Sequence, residues 1–401
     1  MSRLPVLLVL FGLVVACAIG GQGAPVGAGV PHGSSAVPAA PQIRVDVLAA
    51  GLEHVWDIGF LPGGSALITE RPARIKLLSS TRPGARITEV AADLDDVHVA
   101  GEGGLMGLLV HPDFANTRRF TTCQTHLEGG RPVDVRLVTW ELAADGARAR
   151  RVADPLVAGL TLNPSGRHSG CRPTLGPDGY LYVGTGDSAR GAVSQDRTRL
   201  GGKVLRIDLA TGEPAPGNPF AGSANAAERL VFSYGHRNVQ GVTVQPSTGR
   251  LFAAEHGPDV DDEINLLRAG ANYGWDPSRG GTRDGYNENV PMTDLARFPD
   301  AIPAVWSSGG DTEAICGAAF ITGEQWGTMR GLLAVAALKG TKLLLMRVDP
   351  NGTVTEVGQL PQLDGTYGRL RAVRVGGDGA LYVTTSNGDD DKVLRAAPAG
   401  S

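Results

Sequence analysis

From Pro41 onward the chain repeats one arrangement of hydrophobic and polar positions: an apolar strand, a turn built on Pro, Gly or Asp, and a second apolar strand. Six copies follow one another at intervals of roughly 50 to 80 residues, which is typical of propeller blades. The copies read GFLPGGSALITE from Gly59, LVHPDFANTRRFTTC from Leu109, LGPDGYLYVGTGD from Leu175, VQPSTGRLFAAEHG from Val244, a degenerate ITGEQWGTMRGLLAVAAL from Ile321, and VGGDGALYVTTSNG from Val375. Because a single blade cannot bury its faces without neighbours, the pattern predicts an all-β fold, a six-bladed β-propeller, with residues such as Leu181 and Val183 in its core.

Helical periodicity is rare along the chain, and the best helical segments are short. The stretch from Asn225 to Arg229 is one such segment, and it lies in a connection between strands. The longest interval between repeats runs from Asn265 to about Ile321, and within it the run from Arg279 to Pro291 has no strand pattern. Long loops on a rigid scaffold often carry function, so we interpret this run as a substrate entrance, with a mobile surface loop as the alternative.

The composition agrees with a fold of short strands. Among 401 residues there are 57 Gly and 26 Pro, and aromatic residues make up only 5% of the chain. Many turn residues and few bulky side chains suit short strands joined by tight turns. Charged residues make up 19% of the chain and the formal net charge is −4, which argues against nucleic acid as the main partner.

The N-terminal segment, residues 1–17, has the pattern of an export signal. A charge-free, mostly apolar run from Leu4 to Ala16 is too short for a stable membrane-spanning helix. The run ends LVVAC, which resembles a bacterial lipobox and predicts that a lipid on Cys17 is the only membrane contact. An ordinary cleaved signal that removes Cys17 is the alternative. Residues 18–41 are mainly Gly, Ala, Pro and Ser and predict a flexible tether before one propeller domain over residues 42–401.

The remaining cysteines bear on the oxidation state of the protein. In an oxidising compartment we expect one disulfide and one free thiol among Cys123, Cys171 and Cys316. The spacing alone does not choose the pair. We favour Cys123 with Cys171, because each lies near a strand in successive repeats.

A stretch that begins SYGHRN and ends NYGW combines three kinds of chemistry. It holds a cation with an amide neighbour (Arg237, Asn238), a Gly-Pro turn with free carbonyls (Gly257, Pro258), and three consecutive acids that end at Glu263. Guanidinium groups bind carboxylates, and oxygen-only ligands suit calcium. This mixture is what a site needs to hold a multiply charged organic anion beside a hard divalent cation.

Two further clusters contain candidate functional residues. His168 lies in the Gly-rich segment NPSGRHSGCRP, where an imidazole can act as a general base, although an isolated His in such a loop is more often a turn or surface residue. Late in the chain come Lys339 and the pair Arg369 and Arg371. Residues two apart on a strand point to one face, so we expect the two guanidinium groups side by side, either around an anion or as an exposed edge pair.

Seven motifs follow one another in a fixed order between Gly101 and Trp275, and the family resemblance that they carry extends over essentially everything from about residue 42 to the end of the chain. They are GEGGLMGLLVHPDF from Gly101, GRHSGCR from Gly166, GPDGYLYVGTGD from Gly176, LGGKVLRID from Leu200, SYGHRN from Ser233, EHGPDVDDEINLL from Glu255 and NYGW from Asn272. The series resembles the soluble sugar dehydrogenases that use pyrroloquinoline quinone (PQQ), also called the glucose/sorbosone or aldose sugar dehydrogenase family. One such motif has little specificity, but the ordered series is highly specific.

The resemblance implies a fold, a reaction and a cofactor. It implies a six-bladed propeller that holds the quinone at its top face and oxidises the C1 hydroxyl of an aldose to the lactone, with hydride transfer to the quinone. His168 falls on the general base of the family. The quinone is a tricarboxylate, whose burial requires fixed cations. The positions that match its protein contacts are Arg237, Asn238, Lys339, Arg369 and Arg371.

The resemblance also implies calcium and a small sugar. Main-chain carbonyls of Gly257 and Pro258 match the ligands of the catalytic calcium. Glu263 and the carbonyl of Tyr273 match a separate calcium site of some members. The substrate is expected to be a small sugar, whereas the motifs leave the electron acceptor open.

Two positions depart from the family pattern near the sugar. Arg167 precedes the histidine where familiar members have an acid or a second histidine, and Glu102 stands where glucose-oxidising members have a glutamine. Both are therefore candidate substrate contacts. A cation beside the base favours an acidic or otherwise different substrate.

Two other functions compete with the dehydrogenase. A calcium-dependent lactonase or similar hydrolase predicts carboxylate side chains that converge on a metal in the central channel, without a cluster of arginines. A non-catalytic binding propeller predicts that some members of the set of His168, Arg237, Asn238, Lys339, Arg369 and Arg371 are missing. All are present.

Overall fold

The computed structural model describes residues 41–278 and 285–400, and within them the chain is nearly all β. Six four-stranded sheets form, and every pair of neighbouring strands within them is antiparallel. The described residues belong to one compact unit. The predicted signal segment, residues 1–17, and the predicted tether, residues 18–41, lie outside the described residues except for Pro41, so both stay predictions.

Each of the first five blades is built from four consecutive strands. Blade 1 comprises β2 (Val55–Phe60), β3 (Ala66–Glu70), β4 (Arg74–Leu78) and β5 (Ile87–Val90). Blade 2 comprises β6 (Leu105–Val110), β7 (Arg119–Glu128), β8 (Arg131–Leu142) and β9 (Ala149–Leu160). Blade 3 comprises β10 (Arg172–Leu175), β11 (Leu181–Gly184), β12 (Lys203–Ile207) and β13 (Val231–Tyr234). Blade 4 comprises β14 (Val239–Val244), β15 (Leu251–Glu255), β16 (Glu263–Leu266) and β17 (Trp306–Ser307). Blade 5 comprises β18 (Ile315–Phe320), β19 (Leu333–Ala337), β20 (Leu343–Val348) and β21 (Val354–Gln359).

The sixth blade joins the two ends of the folded chain. It contains β22 (Leu370–Val375), β23 (Leu381–Thr385) and β24 (Asp391–Pro398), and β1 (Ile43–Leu52) pairs with β24 as its outermost strand. The innermost strands contact one another in the order β2, β6, β10, β14, β18 and β22, and β22 contacts β2. The ring is therefore closed, and the predicted six-bladed β-propeller is confirmed.

Each predicted repeat corresponds to the first hairpin of a blade, and an apolar core lies between each blade and the next. Phe120 stacks on Trp140 between blades 1 and 2, with ring centroids 6.4 Å apart. Between blades 5 and 6 the buried Trp326 donates from Nε1 to the carbonyl of Gly379 at 2.7 Å. Both faces of a blade are covered in this way, which is why an isolated repeat would not be stable.

The connections divide the ring into two faces. In each blade the innermost strand and the second strand are antiparallel, and the turn of the repeat joins them at one face of the ring. The start of the innermost strand and the end of the second strand therefore lie together at the other face. We call this the top face. Loops from all six blades meet there, around the mouth of the central channel.

The described helices are short. They are α1 (Phe114–Thr117), α2 (Ala226–Leu230) and the 3₁₀ turns Glu324–Met329 and Pro361–Leu363. The predicted helix near Asn225 is confirmed, and the Asn225 side chain caps it by accepting from the N–H groups of Ala227 and Glu228 at 2.9 and 3.2 Å. None of the helices in the described ranges is long and apolar enough to cross a membrane.

The disulfide Cys123–Cys171 is present, as the preferred pairing predicted. It joins β7 of blade 2 to the segment just before β10 of blade 3. The third cysteine, Cys316, is free and buried. The disulfide therefore fixes the entry of the strand that follows the candidate base.

Candidate active site

The structure brings most of the predicted site residues to the top face. His168 precedes β10, Glu102 precedes β6, and Arg237 and Asn238 precede β14. Others lie where second strands end or where the sixth blade begins: Gly257, Pro258, Lys339, Arg369 and Arg371. Residues far apart in sequence therefore surround one channel mouth because propeller connections return to it.

His168 is held by a buried carboxylate. Its Nδ1 lies 2.7 Å from Oδ1 of Asp187, and both side chains are buried. Oδ2 of Asp187 accepts hydrogen bonds from Nε1 of Trp275 and the hydroxyl of Tyr286, each at 2.8 Å. Burial raises the pKa of Asp187, but its interactions with His168 outweigh burial and hold the pKa below the usual value. Asp187 orients the imidazole, and Nε2 makes no hydrogen bond within residues 41–278 and 285–400.

The loops around His168 are fixed by close backbone contacts. Gly166 has a φ of +78°, and a Cβ there would lie 1.6 Å from the carbonyl oxygen of Ala100, so only glycine fits. His168 itself has a φ of 51°, in the left-handed region. At the start of β12, Nζ of the buried Lys203 donates to three main-chain carbonyl oxygens of the loop between β11 and β12, at 2.8, 2.9 and 2.7 Å. These contacts fix the positions of His168 and Asp187 relative to each other.

A hydrogen-bonded chain crosses the top of the central channel. Oε2 of Glu102 accepts from Nδ2 of Asn238 at 3.0 Å and from Nε2 of Gln240 at 3.2 Å. Oε1 of Gln240 accepts from Nη1 of Arg371 at 3.0 Å. Oδ1 of Asn238 accepts from the N–H of Gly170 at 3.1 Å. The chain therefore links the loop of the candidate base in blade 3 to a guanidinium of blade 6.

Further ionisable groups lie beside this chain. Sγ of Cys316 lies 3.4 Å from Nε2 of His256 and 3.6 Å from Nη1 of Arg371. Burial raises the pKa of Cys316, but Arg371 and His256 outweigh it and lower the pKa. Burial lowers the pKa of His256, but Cys316 outweighs it and raises the pKa. Glu102 is likewise held below its usual pKa, because the charges of His168 and His256 outweigh the effect of burial.

Arg237 is buried and shares a carboxylate with Arg167. Nη2 of Arg237 donates to Oε1 of Glu288 at 2.6 Å, and Nη2 of Arg167 donates to the same oxygen at 3.1 Å. Nη1 of Arg237 donates to the carbonyl of His256 at 3.1 Å. Glu288 therefore compensates the positive charge that Arg167 places near the base. Within the described part of the chain Arg167 makes no hydrogen bond to His168.

The expected arginine pair differs from the prediction in one respect. The strand begins at Leu370, and its pairing register shifts between Leu370 and Ala372, so Arg369 lies before the regular strand. Arg371 is buried and Arg369 is exposed, rather than the two lying side by side on one strand face. The side chain of Arg369 is partly desolvated, and this desolvation and the nearby charge of Arg371 lower the pKa of Arg369. Lys339 is exposed at the same face.

The Gly257-Pro258 turn presents unused oxygen atoms. The N–H of Gly257 donates to Oδ1 of the buried Asp262 at 2.9 Å. Oδ2 of Asp262 accepts from Oγ1 of Thr312 at 2.9 Å and from the N–H groups of Glu313 and Ala314, both at 2.6 Å. The carbonyl oxygens of Gly257 and Pro258 accept no hydrogen bond from the described residues. Asp262 therefore anchors the turn through the N–H of Gly257. The two unused carbonyl oxygens of the turn fit a calcium ion bound by main-chain oxygens.

A second oxygen-rich group surrounds Glu263. Nδ2 of Asn265 donates to both Glu255 and Glu263, at 3.2 and 3.1 Å, and Oδ1 of Asn265 is buried without a partner. Burial and the neighbouring Glu255 raise the pKa of Glu263 to about 8. Two buried carboxylates with an unused amide oxygen fit a divalent cation, and the carbonyl of Tyr273 accepts no hydrogen bond from a described residue. No cluster of three or more His, Cys, Asp or Glu side chains with metal-binding geometry occurs in the described ranges.

Sequence reasoning missed several residues that contact the candidate base or its neighbours. Asp187 ends the motif GPDGYLYVGTGD, and its place after a second strand was the available signal. Tyr286 and Glu288 lie in the run from Arg279 to Pro291, of which residues 279–284 lie outside the described residues. Their contacts with His168 and Arg237 bridge 118 and 51 residues. A loop without periodicity gives no sequence signal for such contacts.

Comparisons with known proteins identify a family that matches most of the chain. The family described as Glucose / Sorbosone dehydrogenase matches residues 52–395. The aldose sugar dehydrogenase YliI of Escherichia coli (strain K12) is 30% identical over 370 residues, which cover 91% of this chain and 96% of the relative.

Two solved structures are also similar. A putative oxidoreductase (glucose dehydrogenase) from Thermus thermophilus aligns with a TM-score of 0.72 and 38% identity, over 88% of this chain and 100% of that chain. The PQQ-bound aldose sugar dehydrogenase of Streptomyces coelicolor aligns with a TM-score of 0.71 and 33% identity, over 89% and 99%.

Proposed function

The chain belongs to the glucose/sorbosone dehydrogenase family, and from this premise we propose that it is an exported quinoprotein that oxidises the C1 hydroxyl of an aldose to the lactone. Family membership makes it an oxidoreductase of the sugar dehydrogenase type. One observation carries the finer proposal: a carboxylate-held imidazole lies at the same channel mouth as several guanidinium groups and a turn with unused carbonyl oxygens.

The proposed cofactor is PQQ, which when bound supplies a two-electron acceptor for the hydride from C1 of the sugar. Its carboxylates need fixed cations once they leave water. The side chains of Lys339 and Arg369 make no hydrogen bond or ion pair with the described residues, and the Nε atoms of Arg237 and Arg371 are buried without partners. These four cations fit a tricarboxylate, and Asn238 lies beside them.

His168 is the proposed general base. Its Nδ1 is committed to Asp187, so Nε2 is the atom that accepts the proton of the C1 hydroxyl. Loss of that proton favours departure of the hydride from C1, which balances the oxidation of the alcohol. Asp187 stabilises the imidazolium that forms, and a positioned base of this kind contributes roughly 10²–10⁴-fold to the rate.

Calcium is the proposed metal at both oxygen-rich places. The carbonyls of Gly257 and Pro258 would hold one ion beside the quinone, where a divalent cation acts as a Lewis acid. Glu263 and the carbonyl of Tyr273 would hold a second, structural ion. The unused carbonyls and the pair of buried carboxylates support these assignments.

An aldose is the proposed substrate, and Glu102 and Arg167 are its proposed contacts. Glu102 is ionised and half-buried beside the base, so its free oxygen can accept a hydrogen bond from a sugar hydroxyl. Arg167 is compensated by Glu288, which weakens the argument for an acidic sugar at that position. The electron acceptor stays open.

The two competing functions have less support. A lactonase of the kind considered above requires a carboxylate-lined metal in the channel, whereas the charged groups there are mostly paired with arginines: Asp57 with Arg172 and Arg374, and Glu102 with an amide chain that ends at Arg371. A binding propeller has no need for the bond between His168 and Asp187.

Export, with a lipid on Cys17 or a cleaved signal, is the proposed location. The proposal is supported by the sequence of residues 1–17. Globomycin treatment of the producing cell and mass spectrometry of the mature N-terminus distinguish the two, because only a lipidated Cys17 gives an acylated terminal cysteine.

Reconstitution tests the proposed function directly. Purified apo-protein is loaded with PQQ and calcium, and reduction of an artificial dye is followed with a panel of aldoses. We expect activity only with both additions, and we expect the His168→Ala variant to bind the quinone yet lose at least 10²-fold in kcat. A protein that hydrolyses lactones without reducing dye would instead be the hydrolase, and one that neither binds quinone nor hydrolyses lactones would be neither enzyme.

A further inference from the structure

Arg71 occupies a top-face position that the cofactor assignments leave unused. It immediately follows β3, the second strand of blade 1. The corresponding loops carry the Gly257-Pro258 turn in blade 4 and Lys339 in blade 5. Arg71 is therefore placed by the same propeller geometry that brings the other candidate ligands to the channel mouth.

Main-chain and side-chain contacts connect Arg71 to the arginines of blade 6. The N–H of Arg71 donates to the carbonyl of His54 at 3.0 Å. Nδ1 of His54 lies 3.4 Å from Oγ of Ser386, whose N–H donates to the carbonyl of Arg369 at 2.8 Å. On its other side, the carbonyl of Arg71 accepts from the N–H of Leu105 at 3.0 Å. Arg71 thus lies in the wall between the arginine pair and the loop of blade 2.

The guanidinium of Arg71 is not directly paired with an acid among the described residues. Its side chain makes no hydrogen bond or ion pair with any described residue, and its Nε is buried without a partner. The nearest acids on its own blade are committed elsewhere, since Glu53 and Glu70 both bind Arg74. Burial and the charge of Arg371 lower the pKa of Arg71, against the opposite effect of Glu53 and Glu102. Neighbouring like charges repel each other, and an anion bound between them relieves that repulsion.

We propose that Arg71 binds a carboxylate of the top-face ligand, together with Arg369 and Arg371. This inference deepens the proposed function and rests on it for the identity of the ligand. A guanidinium with a free edge matches carboxylate geometry, and a third guanidinium at this face would attract more negative charge than a pair does. Two ligands at this face offer a carboxylate: the quinone, and an acidic sugar such as a uronic acid.

Quinone binding to the apo-protein tests the first source without relying on turnover. PQQ is titrated into wild-type protein and into the Arg71→Gln and Arg71→Lys variants while intrinsic fluorescence is followed. If the quinone is the ligand, we expect the dissociation constant to rise at least tenfold in Arg71→Gln and less in Arg71→Lys, which keeps the charge but loses the fork. Arg150→Gln is the matched control, because it removes the same charge from an outer strand, where the side chain of Arg150 is 68% exposed.

Steady-state kinetics at saturating quinone test the second source. If an acidic sugar is the ligand, Arg71→Gln raises KM for glucuronate at least tenfold but leaves KM for glucose and the quinone affinity unchanged. Citrate provides a third carboxylate probe that needs neither quinone nor turnover. We expect citrate to raise the melting temperature of the wild type more than that of Arg71→Gln.

The outcomes separate this inference from the proposed function. A wild type that binds no PQQ ends the quinoprotein proposal, whereas the citrate comparison still tests Arg71. A lost response to any of the three carboxylates in Arg71→Gln, with Arg150→Gln unchanged, supports the inference. An Arg71→Gln variant that matches the wild type with quinone, glucuronate and citrate overturns it.

Discussion

Nη1 of Arg172 lies 2.6 Å from Oδ1 of Asp57 inside the central channel, where both side chains are essentially inaccessible to solvent. Arg374 binds the same carboxylate at 2.7 Å, so strands from blades 1, 3 and 6 meet at one acid. Removing one partner of a buried ion pair leaves an uncompensated charge. This contact lies below the top face and holds together the scaffold of the candidate site.

We expect Asp57→Asn to lower the free energy of unfolding by about 3–5 kcal/mol, because Arg172 would keep a buried charge without a carboxylate. Chemical denaturation monitored by circular dichroism measures the loss. Glu141→Gln is the control, since its ion pair with Arg150 is largely exposed and exposed pairs contribute about 0–1 kcal/mol. An Asp57→Asn protein as stable as the control would show that the channel tolerates the unpaired guanidinium.

Acid stability should also depend on Asp57. Burial raises the pKa of Asp57, but Arg172 and Arg374 outweigh it and hold the pKa below its usual value. A carboxyl with a depressed folded-state pKa stabilises the fold above its unfolded pKa of about 3.9, and this contribution is lost as the pH falls below that value. Thermal melts from pH 6 to pH 2 should therefore show a steeper loss below about pH 4 in the wild type than in Asp57→Asn.

Asp187→Asn tests the orientation of the base. The amide keeps the size of the side chain but loses its charge, so the imidazolium of His168 is no longer stabilised and the ring can adopt the wrong tautomer. We expect kcat to fall roughly 10²–10⁴-fold with little change in quinone affinity. A C1-deuterated sugar should show a full isotope effect in the variant, because hydride departure becomes the slow step.

A smaller change provides the comparison for that variant. Tyr286→Phe removes the hydroxyl that donates to Asp187 at 2.8 Å and lies 3.3 Å from Nδ1 of His168, but it leaves the bonds of Asp187 with His168 and Trp275 in place. We expect a decrease in kcat well below that of Asp187→Asn. Equal losses in the two variants would mean that the loop, rather than the charge of Asp187, controls the base.

The sequence was sufficient to predict the blades because each repeat carries its own apolar strands and turn. It was also sufficient to place His168 and Arg237, since both precede an innermost strand within recognisable motifs. The connection rule of a propeller does the rest, because every such position returns to one face. The same reasoning about successive repeats favoured the disulfide Cys123–Cys171, although the cysteine spacing alone left the pairing open.

What the sequence did not predict depends on local irregularity and long-range contacts. The shift in register after Leu370 buries Arg371 and exposes Arg369, and no alternation pattern reveals it. Arg71 follows an ordinary strand and has no motif of its own. Glu288 lies in an aperiodic loop, yet its carboxylate reaches two arginines of other segments.

Glu263→Gln tests the second calcium site in the absence of quinone. Ligand binding to the native state alone stabilises it by about 2.7 kcal/mol when calcium is 100-fold above its dissociation constant. We expect calcium to raise the melting temperature of the wild type and to do so less in the variant, while calorimetric titration shows one ion fewer per chain. Magnesium is the control, because it prefers an octahedral shell with several waters. Equal calcium stoichiometry in the two proteins would move the site away from Glu263.

Glu288 should oppose binding of the quinone, because it occupies the guanidinium that the cofactor requires. Burial raises the pKa of Glu288, but Arg237 outweighs it and lowers the pKa, so the carboxylate is ionised near neutral pH. A bound tricarboxylate would have to share or displace it. The side chain is 39% exposed, so solvent screening keeps the effect modest.

We therefore expect Glu288→Gln to bind PQQ about threefold to tenfold more tightly than the wild type, as measured by fluorescence titration of the apo-protein with calcium present. The gain should shrink at high ionic strength, because it arises from removal of a like charge. Glu141→Gln removes the same charge from an outer strand of blade 2 and should leave the affinity unchanged. Weaker binding in Glu288→Gln would mean that Glu288 instead holds Arg237 in the geometry that the quinone needs, and that its role is to prepare the site rather than to compete for it.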